Sequence, residues 1–282
     1  MYKIIIDSCG ELTEEMKQSG KFCNVALTLQ IDEEDIIDDE TFDQKSFLEK
    51  VAASENGPKS ACPSPSAYME AMEGDAEHVY LVTLSSQLSG SYNSACLAKD
   101  LFEEEHEDDD VEKKVHVFDS KSASIGQTLI GLKIAECEDS GMSFEETIAT
   151  VDSYIEGQHT FFVLETLETL RKAGRLSNLK AKIATTLNIK PVMGSTEIGS
   201  IAQLGQGRGM AKALDKMVEA MMEVTENCEE KIVAISHCNC LERAELLKKK
   251  VKEQANFKEI FIVDTAGVSS MYANDGGVIM VV

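Results

Sequence analysis

The sequence predicts an α/β protein with two domains: an N-terminal, Rossmann-like domain built on a parallel sheet and a C-terminal α/β domain built on a mixed sheet. Two observations support this. In the first half of the chain, short apolar segments alternate with segments of helical periodicity, which is typical of a parallel sheet covered by helices on both faces. Near residue 158 the alternation changes, and two strand-like segments flank a polar turn as in a hairpin. We therefore place the domains at residues 1–158 and 159–282.

The predicted strands of the N-terminal domain are short and apolar. They are Tyr2–Ile6, Val25–Ile31, Val79–Leu84 and Val115–Phe118. The spacing of apolar residues predicts the helices Leu12–Ser19, Phe42–Ala53, Ser66–Met72, Tyr92–Phe102 and Gly126–Glu138. The acidic segment Asp32–Asp39 is predicted to be a turn, and Pro63 and Pro65 break the chain before the third helix. Ser8 or Thr13 is available to cap the first helix.

The C-terminal domain is predicted to combine a hairpin with strand–helix units. Its predicted strands are Phe161–Leu167, Ile189–Gly194, Ile198–Leu204, Ile232–Ser236, Ile260–Val263 and Gly277–Val282. Its predicted helices are Leu170–Leu176, which ends in a turn, Met210–Val224 and Leu241–Glu253. One apolar stripe runs along the second of these helices, which predicts that this face packs on a sheet.

Composition excludes several classes of function. A chain of 282 residues with a formal net charge of −23 repels nucleic acids and anionic membranes. No apolar run approaches the roughly 18 residues of a membrane span, and no signal-like segment precedes the first strand, so we expect a cytoplasmic protein. The eight cysteines form no C-x-x-C pair and the five histidines are scattered, so we expect reduced thiols and no metal site. The acidic run from Glu103 to Asp110 is predicted to be a solvated helix end and loop.

Three of the predicted strands end directly in serines. The pairs Asp7-Ser8, Ser85-Ser86 and Asp119-Ser120 follow these strands, and each precedes a predicted helix. Because the carboxyl ends of parallel strands meet at one crevice, we expect these hydroxyls and helix N-termini to form a binding site there. Such a rim suits an uncharged or anionic polar group. The pattern therefore predicts binding first and catalysis second.

The segment Ser85–Tyr92 is the richest of these, with four serines and a glycine. One serine suffices to cap a helix, so four favour a ligand site, with ordinary capping as the alternative. Neither of the glycine-rich phosphate-binding motifs occurs here. A serine hydrolase using Ser86 or Ser89 is a further alternative: there is no G-x-S-x-G elbow, but His78 or His237 can serve as a distant base.

Two further polar segments are candidates for binding. Lys59–Pro65 is a polar loop, or simply a turn that leads into a helix. Arg175 and Arg208 lie in glycine-flanked loops. Glycine lets a partner approach the backbone closely, and arginine binds phosphate or carboxylate with two hydrogen bonds. Local pairing of these arginines with Glu or Asp is the alternative.

Taken together, these segments resemble the DegV family of bacterial fatty-acid-binding proteins. Six segments, in order over nearly the whole chain, are similar to motifs of that family. They are Asp7–Leu12 (family motif D-S-x-x-x-L), Ser60–Pro65 (T-S-x-P-S-P, with Ser60 where the family usually has Thr), Ser85–Ala95 (S-S-x-L-S-G-T-Y-x-S-A), Val117–Ser124 (a strand with D-S-K-x-x-S), Leu167–Ser177 (L-x-x-L-x-x-x-G-R-I-S) and Leu187–Pro191 (L-N-I-K-P).

The resemblance implies a lipid-binding protein and not an enzyme. It implies two α/β domains with an acyl chain buried between or within them, a long-chain fatty acid such as palmitate as the ligand, and no cofactor. The protein would present the fatty acid carboxylate to a separate ATP-dependent fatty acid kinase and carry away the acyl phosphate. The carboxylate contacts fall on Ser60 and Ser89, with Ser86, Gly90 and Asn274 beside them.

The resemblance also assigns the two arginines and reveals one departure. Arg175 and Arg208 match basic loop positions near the pocket mouth, where the kinase or the phosphoryl group is met. The family usually ends with H-T-G-P-G-x-L-G, whose histidine reaches the carboxylate, but the corresponding segment here, Met271–Gly277, has no histidine. Asn274 can replace one hydrogen bond but no positive charge. We therefore expect the bound acid to have a raised pKa, and a carrier or sensor of another small amphipathic ligand is the remaining alternative.

Overall fold

The computed structural model describes residues 1–107, 113–176 and 188–282. These residues form three sheets, of four, six and three strands. The predicted fold class is confirmed, because the four-stranded sheet is N-terminal and parallel and the six-stranded sheet is C-terminal and mixed. Ser177 and Leu187, which belong to two of the motifs above, and the end of the acidic run at Asp110 lie outside the described residues.

The strands and helices are numbered along the chain. The strands are β1 (Tyr2–Asp7), β2 (Phe22–Val25), β3 (Thr28–Ile31), β4 (Glu34–Ile37), β5 (Lys59–Ala61), β6 (His78–Thr83), β7 (Lys114–Asp119), β8 (Thr160–Val163), β9 (Ile189–Ser195), β10 (Ile201–Arg208), β11 (Ile232–His237), β12 (Glu259–Asp264) and β13 (Val278–Val281). The helices are α1 (Glu14–Gln18), α2 (Gln44–Ala53), α3 (Pro65–Met72), α4 (Ser91–Glu105), α5 (Ile125–Asp139), α6 (Phe144–Glu156), α7 (Glu168–Lys172), α8 (Met210–Val224), α9 (Leu241–Gln254) and α10 (Gly267–Ala273).

The N-terminal sheet has the strand order β2-β1-β6-β7, with all its neighbours parallel. Side chains alternate between its two faces, as the period of a strand requires. Ile4 and Ile6 pack on the side of α5 and α6, whereas Ile5 packs on the side of α3 and α4. Because both faces are covered, β1 reads as a continuous apolar run, which is why the sequence predicted it.

The C-terminal sheet has the order β10-β9-β8-β13-β11-β12. Only β11 and β12 pair in parallel, and the predicted hairpin is confirmed as the antiparallel pair β9–β10. The stripe on α8 packs into the core of this sheet: Ala213, Leu214, Met217 and Met221 are buried there. The predicted boundary near residue 158 falls between α6 and β8. The division into two domains at that point stays a prediction.

A small antiparallel sheet of order β4-β3-β5 departs from the prediction. The single strand expected at Val25–Ile31 is wrong, because β2 ends at Val25 and the chain then leaves the parallel sheet to form β3. The turn expected at Asp32–Asp39 is also wrong, because Glu34–Ile37 forms β4. This strand lies at an edge, where acidic side chains reach solvent. The polar segment at Lys59–Ala61 is β5, not a simple turn.

Two serines at the strand ends, Ser8 and Ser85, bond to other segments of the chain and cap no helix. Thr13, not Ser8, accepts the amide of Met16 and caps α1. Ser8 is buried and donates to Asp38 at 2.9 Å instead. Ser85 is also buried and donates to the carbonyl of Gly199 at 2.8 Å, which connects the end of β6 with the β9–β10 turn. The hydroxyls of Ser8 and Ser85 therefore connect loops that lie far apart in the sequence.

Candidate functional site

A cavity of about 850 Å³, counted out to its open side, lies among the three sheets and α10. Much of its wall is apolar, and this part consists of Leu84, Leu88, Phe162, Leu164, Leu170, Ile201, Val268 and Ile279. These side chains come from segments far apart in the chain, so the cavity exists only in the folded protein. Such a wall can remove a long apolar group from water.

Hydroxyl groups form another part of the wall, and those of Ser122, Ser124 and Thr160 already have hydrogen-bond partners. The Ser122 and Thr160 hydroxyls lie 2.6 Å apart. Ser124 donates to the carboxylate of Glu11 at 2.8 Å, and its oxygen lies 2.8 Å from that of Ser236. Because these groups already have partners, an apolar ligand can lie against them without leaving a polar atom unsatisfied.

One end of the cavity has a different polar character. Ser60 on β5, Ser89 before α4, Arg175 after α7 and Tyr272 on α10 all line the cavity there. Ser60, Arg175 and Tyr272 also border an open cleft on the surface. These three residues therefore lie where the cavity meets solvent. Ser89 follows Leu88, whose carbonyl accepts a hydrogen bond from Arg175. We call Ser60, Ser89, Arg175 and Tyr272 the mouth.

The hydroxyls of the mouth have few internal partners. The Ser60 oxygen lies 3.4 Å from the phenolic oxygen of Tyr272. The Ser89 oxygen lies 3.0 Å from that of Ser91 and accepts the Ser91 amide at 3.2 Å. Ser60, Ser89 and Tyr272 are all half-buried. Each hydroxyl retains hydrogen-bonding capacity that a ligand can use.

Arg175 carries the positive charge of the mouth. Its Nε donates to the carbonyl of Leu88 at 3.0 Å and its Nη1 to the carbonyl of Ala173 at 2.6 Å. Within the ranges that the structure describes, no carboxylate forms an ion pair with it. Lys59 and Lys172 border the adjoining cleft. Asp32 borders the cleft as well, so among the described residues the three cations Lys59, Lys172 and Arg175 face one carboxylate there, in a chain with net charge −23.

The other four predicted site residues do not line the cavity. The Ser86 amide donates to Asp119 at 3.1 Å, and Gly90 is exposed at the start of α4. Asn274 accepts a hydrogen bond from Thr169 at 3.3 Å and donates to a backbone carbonyl. Its side chain thus connects α10 with α7.

Arg208 lies away from the mouth. It is exposed at the end of β10 and borders a separate surface cleft together with Lys212, Lys216 and Lys250. All three lysines pair with acidic neighbours, and Arg208 forms no ion pair within the described ranges. The fold therefore separates the two arginines that the sequence placed in one functional group.

Buried carboxylates form the framework behind the cavity wall. Asp38 accepts the amides of Gly267 at 2.7 Å and Val268 at 2.9 Å, which attaches the β4 end of the small sheet to the start of α10. Burial raises the pKa of Asp38 to about 6. Burial also raises the pKa of Glu11 to about 7, although hydrogen bonds from Ser269 and Ser124 oppose this shift.

The geometry does not assemble the catalytic pair that a serine hydrolase requires. His78 lies at the start of β6, at the opposite end of the strand from the serines, and its Nδ1 is 2.7 Å from Glu138. His237 is buried beside Asp264 and the Cys240 amide. Neither histidine lines the cavity. In the described ranges, no group of acidic, histidine or cysteine residues could hold a metal, and no helix is long and apolar enough to cross a bilayer.

Comparison with known proteins identifies the family. A family model described as an uncharacterised protein of the DegV family matches residues 1–281. This chain belongs to the DegV family. A DegV domain-containing protein of Streptococcus pneumoniae R6, spr0652, is 34% identical over 259 residues, which cover 92% of this chain and 90% of the relative. The family expected from the motifs is therefore confirmed.

Solved structures of DegV proteins match the whole fold. A DegV-family protein from Ruminococcus gnavus, refined with vaccenic acid, is 53% identical with a TM-score of 0.96, over 100% of this chain and 99% of the other. A DegV-family protein from Eubacterium eligens loaded with heptadecanoic acid is 27% identical with a TM-score of 0.89, over 100% and 99%. The fatty acid kinase B3 protein of Streptococcus pneumoniae, loaded with linoleic acid, is 33% identical with a TM-score of 0.87, over 100% and 98%.

Sequence reasoning missed one residue of the mouth in this DegV protein. Tyr272 lies in the segment where the usual histidine is absent, and attention to the missing histidine led to Asn274 instead. Tyrosine combines an apolar ring with a polar hydroxyl, so its presence in this segment could have indicated a residue at the mouth. Ala273 also lines the cavity, so this segment contributes two neighbouring residues to the wall.

Proposed function

We propose that this protein binds a long-chain fatty acid, with the acyl chain in the apolar cavity and the carboxyl group at the mouth. The observation that carries the proposal is the combination of an apolar wall with two serine hydroxyls and an arginine at one end, and this arginine pairs with no carboxylate of the described residues. The vaccenic acid of the Ruminococcus gnavus relative, at 53% identity, supports the same ligand class.

The acyl chain would supply most of the affinity. For palmitate, 14 methylenes at roughly 0.8 kcal/mol each correspond to about 11 kcal/mol of transfer free energy. Loss of translational and chain freedom reduces this sum, but micromolar or tighter binding remains within reach. The polar mouth then serves mainly to orient the ligand, because a buried carboxylate without hydrogen bonds is costly.

The mouth would hold the carboxylate by hydrogen bonds and one charge. Ser60 and Ser89 can each donate one hydrogen bond, and Arg175 supplies the positive charge that the absent histidine would otherwise provide. The missing histidine led us to expect a raised pKa for the bound acid, and Arg175 changes that expectation. A guanidinium near the carboxyl group favours its ionised form and opposes the rise in pKa that burial alone would cause.

We further propose that the protein presents the bound acid to a separate ATP-dependent fatty acid kinase and is not itself an enzyme. The fatty acid kinase B3 protein of Streptococcus pneumoniae, 33% identical to this chain, supports that role. The open cleft beside the mouth, bordered by Lys59, Lys172 and Arg175, would attract the phosphoryl group. Arg208, on its own exposed cleft, would contact the kinase. A cytoplasmic location follows from the need for ATP.

Native mass spectrometry of the protein purified from cells tests the ligand. We expect a retained mass equal to that of a long-chain fatty acid, and delipidated protein should regain this mass when supplied with vaccenic or palmitic acid. Retention of a different small molecule, with no uptake of either acid, would refute the proposal.

A reconstituted kinase reaction tests the presentation. The loaded protein, mixed with a fatty acid kinase and ATP, should yield acyl phosphate, whereas the protein alone should not. Hydrolysis of acyl esters by the isolated protein would favour the serine hydrolase instead.

A further inference from the structure

Tyr272 is placed at the boundary between the cavity and the outside. It lines the apolar cavity and also borders the open cleft beside the mouth. Its ring packs against two hydrophobic clusters, one centred on the small sheet and one on the end of β8, and Leu88 contacts the same two clusters. Tyr272 therefore lies where a ligand with its apolar end inside must place its polar end.

Contacts at both ends of α10 hold Tyr272 in this position. At the start of the helix, the Asp38 carboxylate accepts the amides of Gly267 and Val268. At the other end, the Asn274 amide donates to the carbonyl of Tyr272 itself at 3.0 Å, and Thr169 donates to Asn274. Hydrogen bonds on both sides of Tyr272 thus hold the backbone that positions its phenol. Asn274 contributes by holding the backbone of Tyr272.

The phenol adjoins a predicted head-group contact. Its oxygen lies 3.4 Å from that of Ser60, which comes from a different sheet. Both hydroxyls can donate to one acceptor between them, because each carries its own hydrogen. A ligand carboxylate is the strongest such acceptor that the mouth would meet, since hydrogen bonds to charged groups are stronger than neutral ones.

We propose that Tyr272 is a head-group-binding residue, whose phenol donates a hydrogen bond to the fatty acid carboxylate beside Ser60 and whose ring closes the cavity behind it. This inference rests on the proposed function. It assigns to Tyr272, a neutral donor, a hydrogen bond to the carboxylate in a segment that lacks the usual histidine. It also predicts selectivity: the phenol distinguishes a free acid from an ester, whose weaker acceptor and added methyl group fit the closed mouth poorly.

The test compares Tyr272→Phe with Tyr154→Phe in the full-length, delipidated protein. Phenylalanine keeps the ring and removes only the hydroxyl. Tyr154 on α6 also packs between two hydrophobic clusters but does not line the cavity, so it is a matched control. Dissociation constants would be measured for palmitate and for methyl palmitate, with the melting temperature as a check on folding.

We expect Tyr272→Phe to weaken palmitate binding by about tenfold or more, since a hydrogen bond to a charged group is lost. The dissociation constant of methyl palmitate should change much less. The dissociation constant of methyl palmitate divided by that of palmitate should therefore fall toward one in the variant. The carbon-13 shift of carboxyl-labelled palmitate should also move, whereas Tyr154→Phe should alter neither readout.

Two outcomes would overturn the inference in distinguishable ways. If the native protein binds palmitate and Tyr272→Phe binds it equally well with an unchanged carboxyl shift, the role of Tyr272 is refuted and the proposed function stands. If the native protein binds neither acid nor ester, the proposed function fails and the inference fails with it.

Discussion

Asp7 and Leu84 join the carboxyl ends of two neighbouring strands: the Leu84 amide, just after β6, donates to the Asp7 carboxylate of β1 at 2.8 Å. The same carboxylate accepts the Cys9 amide at 3.2 Å and the Gln127 side chain at 2.9 Å. Leu84 and Cys9 both line the cavity. One buried acid therefore positions two parts of the cavity wall.

Replacing this acid should destabilise the protein. Asp7→Ala leaves two backbone amides and the Gln127 amide without their acceptor, and each unsatisfied buried donor costs about 1–3 kcal/mol. Removing a buried charge offsets part of this cost. We expect a net loss of about 2 kcal/mol or more in the free energy of unfolding, measured with urea at pH 7.5. Asp100→Ala, at an exposed position of α4, is the control and should leave stability nearly unchanged.

Glu11 should make stability depend on pH. Burial raises the pKa of Glu11 from 4.5 to about 7. A raised carboxyl pKa means that the folded state binds the proton more tightly, so the stabilisation is complete below about pH 4.5 and is lost as the pH rises through about 7. Glu11→Gln removes this loss. The stability of the variant relative to the native protein should therefore increase between these pH values, by at most about 1.4 kcal/mol per pH unit.

Urea unfolding at several pH values between 4.5 and 7.5 measures this difference. Glu15→Gln, on the exposed face of α1, is the control and should follow the native curve. Parallel curves for the native protein and Glu11→Gln would show that Glu11 ionises as easily in the folded state as in the unfolded chain.

Ser89→Ala should weaken ligand binding without affecting the fold. The hydroxyl lines the mouth and is proposed to donate to the carboxylate. Its loss should cost roughly 1–3 kcal/mol of binding free energy for palmitate, or about 5- to 150-fold in the dissociation constant. Ser46→Ala, exposed on α2, should bind as the native protein does. Native affinity in Ser89→Ala would place the carboxylate elsewhere.

Arg175→Met should weaken binding in a manner that depends on pH. At pH 8 the bound acid is ionised and loses the positive charge of Arg175, so we expect affinity to fall by about tenfold or more. At pH 5 the acid bound to the variant is partly protonated and no longer needs a cation, so the loss should be smaller. The pKa of carboxyl-labelled palmitate in the complex, followed by NMR, should be higher in the variant than in the native protein.

Arg171→Met is the matched control, because Arg171 lies on α7 just before the turn that carries Arg175, is exposed and pairs with Glu168. It should change neither the affinity nor the pKa. Equal losses for Arg175→Met at both pH values would indicate that Arg175 only supports the fold of the loop through its bonds to carbonyls.

Local patterns explain why much of the fold could be predicted. The strand β1 is apolar on both faces because helices cover the sheet on both sides, and α8 carries a full apolar stripe. The small sheet escaped prediction because Glu34 and Asp35 face solvent on an edge strand, where polarity is typical of a turn as well. The helices α6 and α10 were also missed; α10 has only seven residues and is almost wholly buried.

Some residues of the site could be predicted from the sequence, and others could not. Ser60, Ser89 and Arg175 were found from motifs, and all three line the cavity, while their proposed contacts with the ligand stay predictions. Asn274 and Arg208 were chosen by position in a motif, and the fold places neither at the mouth. Tyr272 was not chosen, because nothing near it in the chain indicates that β5 brings Ser60 within 3.4 Å.

Strand and helix periodicity and the DegV motifs follow from residues close together in the chain, and for that reason one sequence sufficed to predict the α/β class and the family. The cavity, the mouth and the buried carboxylates depend on residues separated by tens to hundreds of positions, such as Asp38 and Gly267. Packing of three sheets decides which of these meet and how far each is buried. Because hydrogen-bond partners and pKa shifts depend on that burial, they could be obtained only from the folded structure.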